Sequence, residues 1–191
     1  MNIVAASDRA RLAGLFRRGW DAPAGVRERV SGIIDDVRRL GDAALIEYTR
    51  AFDSPSYDIG MLRVRIPSSA QARSLVPLEI ANGLRLARER VASFHARQLR
   101  EDIAYVDDDG TQYGFAFRPL DSVAAYVPGG TATLPSSVIM TCVPAKIAGV
   151  ARVAVLTPPQ RDGRVSAAVQ YACSLCGVDE LYADGGAQAI A

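Results

Sequence analysis

Beyond Asp121 the sequence alternates between short apolar runs and helical segments, and few folds accept that order. Ser122 to Val127 is mostly apolar and ends in Pro128-Gly129-Gly130. Ser136-Ser137 can cap a helix running through Ala148, with Gly149 as its stop. Val153 to Leu156 is a β-branched run closed by Thr157-Pro158-Pro159, and Val165 to Leu175 reads as a second helix with Gly177 after it. Leu181-Tyr182-Ala183 is a third strand, and Asp184-Gly185-Gly186 follows. Strand, helix, strand, helix, strand within about 65 residues is the βαβαβ pattern of a parallel sheet with right-handed crossovers. Strands that are continuous apolar runs predict helices on both faces of that sheet. Ala187 to Ala191 reads as the first turn of a further helix, cut off, so the sheet is expected to be truncated at the C-terminal end.

The upstream half is helical with a few short strands. Ser7 or Asp8 can cap a first helix carrying Leu12, Leu15 and Phe16 on one side. Val26, Val30, Ile33, Ile34, Val37 and Leu40 recur at helical spacing up to Gly41, and Asp42 is read as the cap of the next helix, whose apolar side is Ala44, Leu45, Tyr48 and Phe52. Leu62, Val64 and Ile66 alternate with Arg63 and Arg65, the period of a half-buried strand closed by Pro67. Ser68 or Ser69 opens a short helix before Pro77. A long helix follows to about Leu99, with Leu84, Ala87, Val91, Phe94 and Gln98 along one face. Asp107-Asp108-Asp109-Gly110 is a turn between two further strands.

With 49% hydrophobic and 23% charged residues over 191 positions, the chain has globular rather than disordered composition. A net charge of +1 gives no electrostatic reason to expect nucleic acid or a membrane surface as partner. Met1 to Trp20 carries Asp8, Arg9, Arg11, Arg17 and Arg18 and has no long apolar core, so it reads as neither a secretory signal nor a membrane span. Three cysteines without an export signal fit free thiols in a reducing cytoplasm.

Candidate chemistry gathers at two glycine turns. The turn after Tyr126-Val127 exposes backbone N–H groups and lets a ligand approach where side chains would clash, and ligands of open α/β sheets collect at the carboxyl ends of the strands. It matches neither G-x-G-x-x-G nor G-x-x-x-x-G-K-[ST], and a plain structural turn is the competing reading. Gly185-Gly186-Ala187-Gln188 repeats the arrangement at the third strand, which puts both turns at one edge of the sheet. Gln188 has an amide suited to a carboxamide or a ribose, or else it faces water at a helix start. Cys173-x-x-Cys176 lacks two further nearby ligands and sits late in an apolar helix, so it reads as buried packing. His95, the single histidine, reads as structural, and Asp107 to Asp109 as a solvated turn without the distal glutamate of a calcium loop. No residue of the chain is assigned a catalytic or a metal-ligating role.

Tyr126-Val127-Pro128-Gly129-Gly130, then Leu134-Pro135-Ser136-Ser137-Val138-Ile139-Met140, then Pro144-Ala145-Lys146-Ile147-Ala148-Gly149-Val150 resembles the signature region of histidinol dehydrogenases. Gly185 to Ala191 is similar to a second block of that family at the right distance. Gly41 to Leu45 through Tyr48 to Phe52-Asp53, and Phe94-His95 with Gln98, are similar to its N-terminal helices.

The resemblance implies an NAD-dependent, two-step oxidation of L-histidinol through the aldehyde to L-histidine in a zinc-containing homodimer. It implies that Tyr126 and Gln188 contact NAD. It also implies a discontinuous first domain over 1–125 and a Rossmann-like domain beginning at 126 and running, incomplete, to 191. The family's zinc ligands, its Glu-His acid–base pair and its substrate-binding residues match no position here, so the chain alone is expected to be inactive. Two other readings stand beside this one: a related zinc and NAD dehydrogenase of another small alcohol such as a sulfonated diol, and a noncatalytic binding or assembly module.

Overall fold

The computed structural model describes residues 4–15, 23–129 and 132–191. Phe16 and Gly130, both named above, lie outside them. The first helix, α1 (Arg9–Leu15), starts where Asp8 Oδ1 accepts the Arg11 N–H at 3.1 Å. Helix α2 (Val26–Leu40) ends at Gly41, whose φ of 59° turns the chain into α3 (Asp42–Phe52). Asp42 does not act as the cap: Gly41 holds that position, and no side chain caps the helix. Asp42 instead stands in the first turn, where its charge complements the helix dipole.

Strand β1 is shorter than the Leu62-to-Ile66 alternation suggests, covering only Arg63–Val64. Ser68 and Gln71 form a reciprocal capping box at α4 (Ser69–Ser74), the Gln71 side chain accepting the Ser68 N–H at 3.2 Å. Helix α5 (Leu78–Ala96) leads to a hairpin of β2 (Ile103–Val106) and β3 (Gln112–Phe115), with the aspartate turn between them.

The second half follows the predicted order. Strand β4 (Ser122–Tyr126), helix α6 (Pro135–Ile147), β5 (Arg152–Thr157), α7 (Ala167–Cys176) and β6 (Glu180–Ala183) alternate without interruption. The start of α6 departs from expectation. Pro135 occupies its first position and Leu134 the cap, so Ser136 and Ser137 lie inside the helix. Ser166 caps α7 through the Val169 N–H at 3.3 Å, and Gly177 closes it in the left-handed conformation, φ 66°.

The main sheet has the order β1-β6-β5-β4. Strands β4, β5 and β6 are parallel, with Tyr126 level with Leu156 and Leu156 level with Tyr182, while β1 joins β6 antiparallel. Because both crossovers step in one direction, right-handedness puts α6 and α7 on the same face, where they pack on each other and on α5. Val127, Val138, Ile139, Cys142, Val153, Val155, Val169, Cys173 and Leu181 form the core between helices and sheet.

Among the described residues, helices on both faces, as the apolar strands suggested, are not observed. Ser122, Ala124, Tyr126 and Arg152 on the other face are exposed, and Ala154, Leu156, Glu180 and Tyr182 are half-buried. On that face Arg152 holds Glu180 through two hydrogen bonds of 2.9 and 3.0 Å, and the Tyr182 hydroxyl donates to the same carboxylate.

Candidate functional site at the carboxyl edge of the sheet

Strands β4, β5 and β6 end side by side in Val127-Pro128-Gly129, Thr157-Pro158-Pro159 and Asp184-Gly185-Gly186. Pro158 sits between the two glycine turns. A Cβ on Gly129 would stand 3.1 Å from Pro158 Cδ, and one on Gly185 would stand 2.8 Å from Pro158 Cβ. The turns therefore close onto the proline because neither carries a side chain there. Gly186 has φ +66° and is exposed. Its N–H points to the Tyr126 hydroxyl at 3.4 Å, so the two predicted ligand-binding segments touch directly.

Tyr126 is 39% exposed, its ring lying on the open face of the sheet beside the turn. Gln188 departs from the water-facing reading. It is 2% exposed, so it does not face water, and its amide is folded inward with Nε2 3.5 Å from Asp184 Oδ1. Residues 187–191 form a turn in which the Ile190 and Ala191 N–H groups both bond the Ala187 carbonyl, as at the start of a helix.

Beneath the turns lies a polar cluster that sequence reasoning missed. Asp184, 1% exposed, accepts the Thr49 hydroxyl of α3 at 2.8 Å and the Gly185 N–H at 2.9 Å, both on Oδ1. Burial pushes its carboxyl up to about 6, with the hydrogen bonds from Thr49, Gly185 and Gln188 opposing and the nearby Asp53 charge adding to the rise. Tyr57 is fully buried next to it, and its hydroxyl is raised first by that burial and then by the Asp184 charge. A signal for Thr49 did exist: it follows Leu45 by four residues and precedes Phe52 by three, which is the apolar stripe of α3. Asp184 was visible only as part of a turn.

The family model for histidinol dehydrogenase matches residues 17–191. The chain belongs to the histidinol dehydrogenase family. The histidinol dehydrogenase of Gluconobacter oxydans is 43% identical over 176 residues, which cover 92% of this chain and 40% of that protein. That of Bradyrhizobium diazoefficiens is 41% identical over 181 residues, 95% of this chain and 42% of the relative. A crystal structure of histidinol dehydrogenase from Elizabethkingia anophelis superposes with a TM-score of 0.82 at 30% identity, covering 95% of this chain and 42% of that one. The chain thus spans about two fifths of the length of these histidinol dehydrogenases.

The other candidates resolve as packing. Cys142, Cys173 and Cys176 are buried between α6 and α7. His95 is half-buried, its Nδ1 2.6 Å from Gln98 Oε1 one helical turn on. Lys146 bonds Asp179 Oδ2 at 2.7 Å, and the same oxygen accepts the Val153 N–H, tying the end of α6 to the start of β5. Among the described residues no three His, Cys, Asp or Glu side chains gather as a metal-holding group, and no helix is long and apolar enough to cross a membrane.

Proposed function

We propose that the carboxyl edge of this sheet binds NAD for a histidinol dehydrogenase, which oxidises L-histidinol through the aldehyde to L-histidine. The observation that carries this reading is the contact between Tyr126 and Gly186, which joins the two family blocks into one surface. The edge suits a dinucleotide. Tyr126 offers an aromatic face and a hydroxyl, Gly129 and Gly186 leave backbone accessible, and Gln188 lies buried directly under the Gly185-Gly186 turn. When bound, the nicotinamide supplies the hydride acceptor. The chain's own residues bind and orient it. Tyr126 flanks the ligand, the glycine turns let it approach the backbone, and Gln188 acts on it through the turn it supports.

In this proposal the protein as a whole is a cytoplasmic homodimer that also uses zinc. Among the described residues no group fits the metal. The chain divides near Tyr126 into a first segment, 1–125, and a nucleotide-binding segment, 126–191. The contiguous β4-α6-β5-α7-β6 unit supports that division.

Calorimetric titration of the 191-residue chain with NAD tests the reading. Saturable binding is expected, and Tyr126→Ala should weaken it about tenfold, on the order of 1–2 kcal/mol. Absence of saturable binding at millimolar NAD, or a Tyr126→Ala variant binding as well as wild type, would count against it.

A further inference from the structure

Three buried polar atoms at the base of the edge have no partner among the described residues: the acceptors Asp184 Oδ2 and Gln188 Oε1, and the Tyr57 hydroxyl. The other halves of the two acceptor groups already face each other, Gln188 Nε2 lying 3.5 Å from Asp184 Oδ1. Every donor that reaches the carboxyl, from Thr49, Gly185 and Gln188, lands on Oδ1. An ionised carboxylate would leave Oδ2 and Oε1 as two bare acceptors in a region 1–2% exposed, which is costly. A carboxylic acid opposite a primary amide removes the conflict. The acid O–H donates to the amide oxygen while the amide N–H donates to the acid carbonyl.

We propose that Asp184 is a positioning residue that holds a proton on Oδ2, donates it to Gln188 Oε1, and so fixes Gln188 and the Gly185-Gly186 turn in the form that receives the dinucleotide. The last clause rests on the NAD reading; the proton does not. The groups facing the carboxyl agree with a neutral acid. From α3 come the neutral Thr49 hydroxyl and, at the helix end, Asp53, whose negative charge opposes ionisation. From the following loop comes Tyr57, whose buried hydroxyl is itself held protonated. No basic side chain among the described residues hydrogen-bonds Asp184. The raised carboxyl, at about 6, points the same way.

The Gln188 amide oxygen also stands 2.6 Å from where a Cβ on Gly186 would be, so the amide packs directly against the turn. Losing the proton would release that oxygen and place a second negative charge beside Asp53 under a surface meant for an anionic ligand.

Denaturant unfolding of the ligand-free chain and its Asp184→Asn variant from pH 4 to 7.5 tests the proton without NAD. Asp184 keeps its proton in the fold after the unfolded chain has lost it, so wild type must lose stability as pH rises from about 4 to 6. Asparagine has no such titration and supplies an N–H donor in place of the acid. The unfolding midpoint of the variant should therefore pull ahead of wild type over that window and hold its lead above it. A constant gap, a wild type that gains on the variant, or an asparagine variant unfolded at pH 7 would overturn the proposal.

NAD affinity forms a second arm. Asp184→Asn should bind with the wild-type low-pH affinity at every pH, and Asp184→Ala about tenfold more weakly. An asparagine variant as weak as the alanine variant overturns the positioning role. If wild type binds no NAD at any pH, the ligand reading fails while the unfolding comparison still decides the proton.

Discussion

A methyl group added at Gly185 would run into the Pro158 ring, 2.8 Å from its Cβ and 3.0 Å from its Cα. The neighbour is a rigid ring fixed at the end of β5, not the far end of a flexible chain, so relief requires one strand end to move. Gly185→Ala should therefore destabilise the chain by about 1–3 kcal/mol, as overpacking does, and weaken NAD binding by displacing Gly186. Thermal unfolding together with calorimetric titration checks both effects; an alanine variant with unchanged melting temperature and affinity would show that the close approach does not matter. These glycines were legible in the sequence because a turn at a strand end is a local pattern. Tyr126 was legible because it precedes one. Thr49 stood on the legible apolar stripe of α3, but its bond to Asp184, 135 residues further on, and the burial of Tyr57 follow from no local spacing. Gln188 was half legible. Its place at the edge was right, but the inward turn of its amide depends on Asp184, whose burial only the fold reveals.

Helices and strands were read correctly wherever a side chain or a glycine marks the boundary. Ser68, Gly41 and Gly177 all act as the sequence suggests. Asp42, Ser136 and Ser137 were misassigned because a cap residue type is common inside the first turn as well as before it. There Gly41 and Pro135 set the helix start instead. Between α6 and α7 the packing decides the chemistry of the three thiols. Burial pushes all three up, Cys176 to about 12, and Cys142 and Cys173 are completely enclosed. Thiolate, the reactive form, is then scarce at neutral pH, and access is closed as well. The native chain should leave an aromatic disulfide reagent untouched at pH 8, and all three thiols should react once denaturant is added. Reaction of any thiol in the folded chain at the rate of free cysteine would show that this interface opens.

At the scale of the molecule, the described residues cover the sheet on one side only, and that asymmetry follows from topology. Two right-handed crossovers stepping in the same direction leave α6 and α7 together, and covering the opposite face would require chain that steps the other way from β4. The continuous apolar strands signalled two covered faces but could not say that the described residues furnish only one. Strand β4 stands at the sheet edge with its outer hydrogen-bonding groups unpaired by any described strand. The β2–β3 hairpin is exposed on both faces, with Tyr105 stacked on Tyr113 at 4.9 Å and Ile103, Val106 and Phe115 open to solvent. A two-stranded hairpin is marginal by itself, and apolar surface of this extent alongside a free strand edge favours association. The 191-residue chain should accordingly self-associate, with a scattering mass that rises between micromolar and tens of micromolar protein, and it should turn over no histidinol. Lys substitutions at Ala124 on the edge strand and at Phe115 on the hairpin place charges in the two exposed regions without touching the core, so they should lower the associated fraction while leaving the unfolding free energy within about 0.5 kcal/mol of wild type. A monomer at all concentrations would mean that these surfaces are tolerated in water. Measurable histidinol oxidation by the chain alone would place proton-handling groups within these residues, contrary to the division of labour proposed here.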